Sequence, residues 1–205
     1  MNNKTVTTPI VDYHEMTSQD MLVNRLMRMP AIAVAQLRYV DVWRPSLNCH
    51  GIYAFFGGDE YHVYDNDSGQ RIDCWYIGSA AGAAMVGRLG SHFAPRHKDF
   101  GNSLLKRIAY TVASPADKLL FSEKDPSLQQ KQRMEEIIRD CFPIMQSLQL
   151  RILLYEETED EKARDEIHSD EKTLISHYKP AFNNPKRTKR DLEIRDINGN
   201  KIIQL

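Results

Sequence analysis

Gly51-Ile52-Tyr53 and Trp75-Tyr76-Ile77-Gly78 are the two stretches that decide the fold of this chain. Each is rich in aromatic and β-branched residues and lies next to a glycine, so each predicts a short strand. Downstream, Arg88 and His92 are four residues apart and share one face if the following helix continues through Gly90. Two tyrosines, an arginine and a histidine are side chains that suit chemistry on a phosphate.

Length and composition limit the class of protein. A chain of 205 residues is long enough for one domain with modest additions. Its cysteines, Cys49, Cys74 and Cys141, are odd in number and have no C-x-x-C spacing, which indicates neither a disulfide framework nor a zinc site. The N-terminus does not have the pattern of a signal peptide, and no apolar run approaches the ~20 residues that span a bilayer. The sequence therefore predicts a soluble, cytoplasmic protein without membrane contacts.

The charges are unevenly distributed, although the formal net charge of -1 does not itself indicate nucleic-acid binding. Residues 156–171 are dominated by Asp and Glu, which favours a solvated surface. Residues 179–190 carry only basic charges. For this basic run, a solvated surface and contact with phosphates remain open alternatives.

Periodicity and capping residues predict the remaining elements. In chain order these are an arm over residues 1–16, a helix that starts at the Thr17 cap and stops before Pro30, strands over residues 51–56, 72–77 and 148–155, helices over residues 80–89, 104–112, 133–140 and 162–178, and a hairpin over residues 192–205 that turns at Asn198-Gly199. Residues 31–43 fit helix and strand equally, and residues 115–126 are predicted to be irregular. In the helix over residues 80–89, Met85, Val86 and Leu89 are predicted to face inward.

Glu171 is the most informative residue outside the opening stretches. Ile167, Glu171, Leu174 and Tyr178 recur at helical spacing, which places the carboxylate on the stripe that faces the core. A carboxylate that leans into the core needs a charge or a metal as its partner. Mg²⁺ commonly binds one or two carboxylates and keeps several waters, so Glu171 is a candidate ligand, and an ordinary exposed glutamate is the alternative.

Together these residues resemble the GIY-YIG nuclease domain. Gly51-Ile52-Tyr53 and Tyr76-Ile77-Gly78 match its two name-giving tripeptides, and Arg88 stands where the family has its arginine. Glu171, Leu174-Ile175, Pro180 and Asn183 resemble its closing pattern. The resemblance covers about residues 50–184, which leaves residues 1–49 as an N-terminal helical extension and residues 185–205 as a basic segment with a C-terminal β-hairpin.

The resemblance implies an α+β fold, in which a small three-stranded antiparallel sheet is flanked by helices, and hydrolysis of DNA phosphodiesters with one divalent cation, Mg²⁺ or Mn²⁺ in its place. The implied roles are metal binding by Glu171, phosphate binding by Arg88, activation of the attacking water by Tyr53 with help from His92, orientation of phosphate or water by Tyr76, and support of the site by Asn183.

Two departures from the family pattern concern DNA recognition. The stretch between Tyr53 and Tyr76 is longer than usual, so residues 54–75 contain an insertion, and extra chain separates His92 from Glu171. No zinc spacing or helix-turn-helix pattern supplies a separate DNA-binding module. We therefore expect a sequence-specific restriction-type endonuclease that acts as a homodimer. The alternatives are a repair or mobile-element nicking nuclease and a non-cutting nucleic-acid-binding module.

Overall fold

The computed structural model describes residues 17–39, 49–81, 85–93, 103–123, 125–155, 161–183 and 191–203. Its strands are β1 (Ile32–Ala33), β2 (Gly51–Phe56), β3 (Tyr61–Asp65), β4 (Arg71–Ile72), β5 (Cys74–Ala80), β6 (Gln149–Leu154) and β7 (Leu192–Asp196). Its helices are α1 (Ser18–Arg28), a 3-10 helix (Val34–Tyr39), α2 (Met85–Phe93), α3 (Leu104–Val112), α4 (Pro115–Leu120), α5 (Leu128–Asp140), α6 (Phe142–Gln146) and α7 (Glu161–Tyr178). The predicted α+β class is confirmed. The predictions for the arm over residues 1–16 and for most of the basic run lie outside the described residues.

The main sheet is antiparallel and has the strand order β1-β6-β2-β5. Its three long strands are those predicted from the sequence, and the short strand β1 adds a fourth by pairing Ile32 with Leu150. Strand β2 lies in the centre, between β5 and β6. Because β2 is central, its residues Gly51 to Phe55 are all buried.

The two faces of this sheet are covered by different helices. Tyr53 and Phe55 share one face with a core that includes buried residues of α2, α3, α5 and α6. Ile52 and Ile77 share the opposite face with residues of α1 and α7, among them Leu174. Alternation along the strands therefore divides the apolar residues between two helical layers, with the sheet between them.

The prediction of a single three-stranded sheet was wrong in detail, because a second sheet has the order β4-β3-β7. The insertion between β2 and β5 folds into β3 and β4, which are joined by the predicted turn at residues 65–69. The free edge of β3 is then paired by β7 over its whole length, from Tyr61 opposite Asp196 to Asp65 opposite Leu192. An open strand edge favours such pairing.

The C-terminal hairpin was predicted correctly at its turn and in its first strand, β7, but not in its second strand. Gly199 lies in the turn with a φ of 81°. After the turn, the described chain returns with one isolated bridge, between Arg195 and Lys201, rather than with a strand. Strand β7 thus has its main partner in β3 and not in the residues that follow it.

Several helix boundaries also differ from the predictions. The helix at the N-terminus is confirmed, with a capping box between Thr17 and Asp20. The stretch predicted to be irregular contains α4, which Ser114 caps and whose Asp117 accepts two hydrogen bonds from Arg133. Helix α5 begins at Leu128 rather than at Arg133, since Ser127 forms a second capping box.

Helix α2 is displaced along the chain from its predicted position. Ala80 ends strand β5, and the described helix runs from Met85 to Phe93. Met85 and Leu89 face the core as predicted, but Val86 is exposed, and His92 takes the third buried position. No helix among the described residues is long and apolar enough to cross a membrane.

The role of β7 in the core can be tested with two isoleucines of the C-terminal segment. Ile194 lies opposite Val63, is 1% exposed and belongs to the core, whereas Ile197 in the turn is 68% exposed. We expect Ile194→Ala to lower the free energy of unfolding by about 2–5 kcal/mol, because it leaves a cavity. Ile197→Ala should change it by less than about 0.5 kcal/mol. Urea unfolding measures both; equal values would show that β7 does not pack as described.

Candidate active site

Tyr53 is the centre of the candidate site. It lies on β2 directly opposite Gly78 of β5 and is 2% exposed. Its hydroxyl oxygen lies 2.9 Å from Nε2 of His92. A Cβ atom added to Gly78 would be 2.5 Å from the Tyr53 hydroxyl, so the second tripeptide needs its glycine to leave room for the tyrosine of the first.

His92 reaches Tyr53 from helix α2 and is also 2% exposed. Its ring centroid lies 5.5 Å from that of Tyr53, 5.8 Å from that of Phe55 and 4.7 Å from that of Tyr76. On the other side of the ring, Nδ1 accepts a hydrogen bond of 3.1 Å from the backbone N–H of Leu104. The imidazole is therefore fixed by three aromatic rings and by contacts at both nitrogens.

Tyr76 forms the more open side of this aromatic group. Its ring stacks on Tyr53 at a centroid distance of 6.3 Å and an interplanar angle of 23°. The guanidinium of Arg107 on α3 lies 5.8 Å from the Tyr76 ring centroid. Burial raises the pKa of Tyr76, and the positive charges of Arg107 and Arg88 act in the opposite direction.

Arg88 lies on α2 one turn before His92, and its side chain is exposed. Its positive charge is close enough to lower the pKa values of both Tyr53 and Tyr76. It also contributes to the low pKa of His92, which burial, Arg107 and Arg88 together bring to about 4. His92 is therefore neutral at physiological pH, next to a cation at the surface of the site.

Burial raises the pKa of Tyr53 above its usual value, and the neighbouring Tyr76 adds to this rise. The negative charge of Glu171 acts in the same direction, while Arg88 opposes it. The phenol form of Tyr53 thus predominates near neutral pH. The charges of Arg88 and Glu171 thus act on the Tyr53 phenol in opposite directions.

Glu171 approaches the site from α7, on the opposite face of the sheet. Its helical stripe is as predicted, with Ile167 and Leu174 buried, but the carboxylate itself is only partly buried, with 21% of its side chain exposed. Ser79 of β5 donates a hydrogen bond of 2.6 Å to its Oε2 atom. Nδ1 of His168 lies 3.5 Å from the same oxygen.

The surroundings of Glu171 fit a hydrated divalent cation. A neutral hydroxyl orients one carboxylate oxygen, and Oε1 has no hydrogen bond to any residue that the structure describes. A hard oxygen ligand that leaves most positions to water and substrate is typical of Mg²⁺.

Asn183 contacts the backbone rather than the reactive side chains. Its Oδ1 atom accepts a hydrogen bond of 2.6 Å from the N–H of Ile77, and its amide donates to the Ile77 carbonyl. The preceding Ala181 and Phe182 donate backbone hydrogen bonds to the carbonyls of Cys74 and Trp75. Through these contacts, residues 181–183 form hydrogen bonds with the edge of β5 that no other described strand covers. Asn183 thereby holds the backbone of β5 at Ile77, between Tyr76 and Gly78.

The structure brings the six predicted residues together around β5, and it adds two that were not predicted. Ser79 orients Glu171, and Arg107 places a second guanidinium against Tyr76. One signal for Arg107 is present in the sequence. Lys106 and Arg107 stand in the first turns of α3, where acidic residues are favoured and positive charges are not.

A comparison of the chain with protein-family models, with curated proteins and with solved structures finds no match.

The close approach of Tyr53 to Gly78 can be tested by adding one methyl group. We expect Gly78→Ala to displace the Tyr53 ring from His92, because the new Cβ overlaps the phenol. The strain should lower the free energy of unfolding by about 1–3 kcal/mol. Near-ultraviolet circular dichroism of the aromatic residues should change at the same time.

Gly90→Ala is the matched control, since a Cβ at this exposed helical position meets no described atom within 4 Å. It should leave the aromatic spectrum unchanged and stabilise α2 by about 0.5–1 kcal/mol. An unchanged spectrum for Gly78→Ala would contradict the described packing.

Proposed function

We propose that this protein is a divalent-metal-dependent DNA endonuclease that hydrolyses phosphodiester bonds. The observation that carries the proposal is the buried hydrogen bond between Tyr53 and His92, together with the opposite effects of Arg88 and Glu171 on the pKa of the Tyr53 phenol. Phosphoryl hydrolysis needs positive charge for the phosphate, a cation site and a proton acceptor for water. The resemblance to GIY-YIG nucleases supports the same roles for these residues.

Glu171 is the residue that would hold Mg²⁺. When bound, the cation would supply Lewis-acid stabilisation of the charge that develops on the phosphate. Ser79 holds the carboxylate in place through its hydrogen bond to Oε2. Such an oriented ligand binds a cation without first losing side-chain freedom.

Arg88 is suited to bind the scissile phosphate. Its guanidinium is exposed, and its helix is anchored by the buried Met85, Leu89 and His92. A guanidinium can donate two parallel hydrogen bonds to phosphate oxygens, which fixes orientation as well as charge. Arg107 adds positive charge on the neighbouring helix, beside Tyr76.

Tyr53 is the candidate acceptor for the proton of the attacking water. A raised pKa makes its phenolate a strong base that is present in only a small fraction at neutral pH. Arg88 increases that fraction by stabilising the negative form. Tyr76 stacks on the same ring and offers a second hydroxyl near the phosphate and the water.

Binding of DNA is supported by charge at two places. Arg88 and Arg107 contribute cations at the site, and the basic residues of the run over positions 186–190 follow shortly after Asn183 in the chain. Phosphate contacts from such residues provide most of the non-specific affinity for DNA. The second sheet, built from the insertion and β7, is the part of the described structure that we assign to sequence recognition, and a homodimer would present one site to each strand.

The proposal can be tested with the Glu171→Gln variant, which keeps the shape of the side chain but loses its charge. The purified parent should cut unmethylated phage DNA in Mg²⁺ into discrete fragments. Glu171→Gln should cleave at least about a hundredfold more slowly and still bind DNA, because the cation site is lost while the cationic groups remain. Glu166→Gln, an exposed glutamate on the same helix, is the matched control and should cleave like the parent.

The products separate the remaining alternatives. Nicked or smeared DNA in place of discrete fragments would favour a nicking nuclease of repair or mobile-element type. Retained DNA binding without cleavage in Mg²⁺ or Mn²⁺ would favour the non-cutting module. Equal cleavage by the parent and Glu171→Gln would contradict the assignment of the metal site.

The pH dependence of cleavage follows from the raised pKa of Tyr53. Because kcat/KM reports the ionisation of the free enzyme, it should rise about tenfold per pH unit in proportion to the phenolate, without a plateau below about pH 10. The acid form of His92 should matter only near pH 4, where its lowered pKa lies. Tyr53→Phe should abolish this rise and most of the activity, while Tyr110→Phe, an exposed tyrosine on α3, should keep it. A plateau near pH 7 would contradict Tyr53 as the base.

A further inference from the structure

His92 is held by two hydrogen bonds that require different states of its two nitrogens. Nδ1 lies 3.1 Å from the backbone nitrogen of Leu104, and Nε2 lies 2.9 Å from the hydroxyl oxygen of Tyr53. Both contacts are buried. The proton content of the imidazole is therefore decided by what each partner can donate or accept.

The Leu104 contact leaves one choice for Nδ1. A backbone N–H is only a donor, so Nδ1 must present its lone pair. A neutral imidazole carries one proton, and with Nδ1 unprotonated that proton is on Nε2. Nε2–H then donates to the Tyr53 hydroxyl oxygen.

Both other protonation states are disfavoured by the same contact. The Nδ1–H tautomer and the imidazolium would each place a proton against the N–H of Leu104, with neither group able to accept. Loss of this hydrogen bond would be costly because Leu104 is the first residue of helix α3, where the first amides have no partner within the helix. The low pKa of His92, which burial and the guanidiniums of Arg107 and Arg88 cause, agrees with this arrangement.

The ring cannot readily exchange its two nitrogens. It lies between Tyr53, Phe55 and Tyr76, with centroid distances of 5.5, 5.8 and 4.7 Å. Ser103, the cap of α3, donates a 3.3 Å hydrogen bond to the backbone carbonyl of His92 and ties the two helices together. Rotation of the ring would break both side-chain hydrogen bonds inside a packed core.

We propose that His92 is a positioning residue that donates a hydrogen bond to Tyr53 and does not accept its proton. The role in catalysis rests on the proposed nuclease function, whereas the tautomer does not. During hydrolysis, the water O–H bond breaks, its proton forms a new O–H bond on the Tyr53 phenolate, and the water oxygen attacks phosphorus. The P–O bond to the leaving oxygen breaks, and that oxygen takes its proton from solvent.

Because Nε2 of His92 is a hydrogen-bond donor, it restricts where the proton of Tyr53 can move. A transfer of the Tyr53 proton to His92 would need a free lone pair on Nε2, and that position already carries a proton. The donated hydrogen bond instead stabilises the phenolate, because a hydrogen bond to the charged form favours ionisation. It also directs one lone pair of the Tyr53 oxygen towards His92.

The tautomer can be measured without any activity. Nitrogen-15 NMR of imidazole-labelled parent protein should show His92 with unprotonated Nδ1 and protonated Nε2 throughout the range from about pH 5.5 to 8, in which an unperturbed histidine titrates. A protonated Nδ1, or a titration near the usual value of about 6.5, would overturn the proposal. Because this experiment uses no DNA, it remains decisive even if the protein cleaves none.

Two substitutions separate a donor from a base in the cleavage reaction. The amide nitrogen of glutamine extends to about the position of Nε2 and donates a hydrogen bond, but it does not act as a base near neutral pH. We expect His92→Gln to retain cleavage within about tenfold of the parent and His92→Ala to lose at least about a hundredfold. If His92→Gln loses as much as His92→Ala while both remain folded by circular dichroism, His92 acts as a base and the proposal is wrong.

Discussion

The antiparallel register between β2 and β5 is the constraint on which the candidate site depends. It sets Tyr53 directly opposite Gly78, and the missing side chain of the glycine is the space that the phenol occupies. Since side chains alternate along a strand, a slip of one residue would turn Tyr53 to the other face, away from His92. Asn183 forms hydrogen bonds with the outer edge of β5 and thereby helps to hold this strand in the same register.

Around this strand pair, charged side chains come from both faces of the sheet. Arg88 and Arg107 come from the two helices on one face of the sheet, and the Glu171 carboxylate comes from α7 on the opposite face. Between them lies an uncharged buried pair, Tyr53 and His92. The buried pair therefore lies between cationic groups on one face of the sheet and a carboxylate on the other.

Local patterns in the sequence were sufficient to predict much of the main sheet and of the helices that position the candidate site. The strands at the two tripeptides, the Thr17 capping box and the α7 stripe through Glu171 follow from patterns over a few residues. The second sheet could not be predicted from such patterns, because β3 and β7 are far apart in the chain and the sequence of neither strand indicates its partner. Arg107 was missed for the same reason, since its place beside Tyr76 depends on how α3 packs. Val86 was predicted to face inward and is exposed, because the buried stripe of α2 runs through Met85, Leu89 and His92.

The most direct test of one shared centre is the binding of Mn²⁺, which takes oxygen ligands as Mg²⁺ does and broadens the NMR signals of nearby nuclei. Our account predicts that the resonances of Ser79, Tyr53 and Tyr76 broaden first, and that Glu171→Gln abolishes this effect. Broadening that instead centres on the exposed acidic residues at the start of α7 and persists in Glu171→Gln would contradict it.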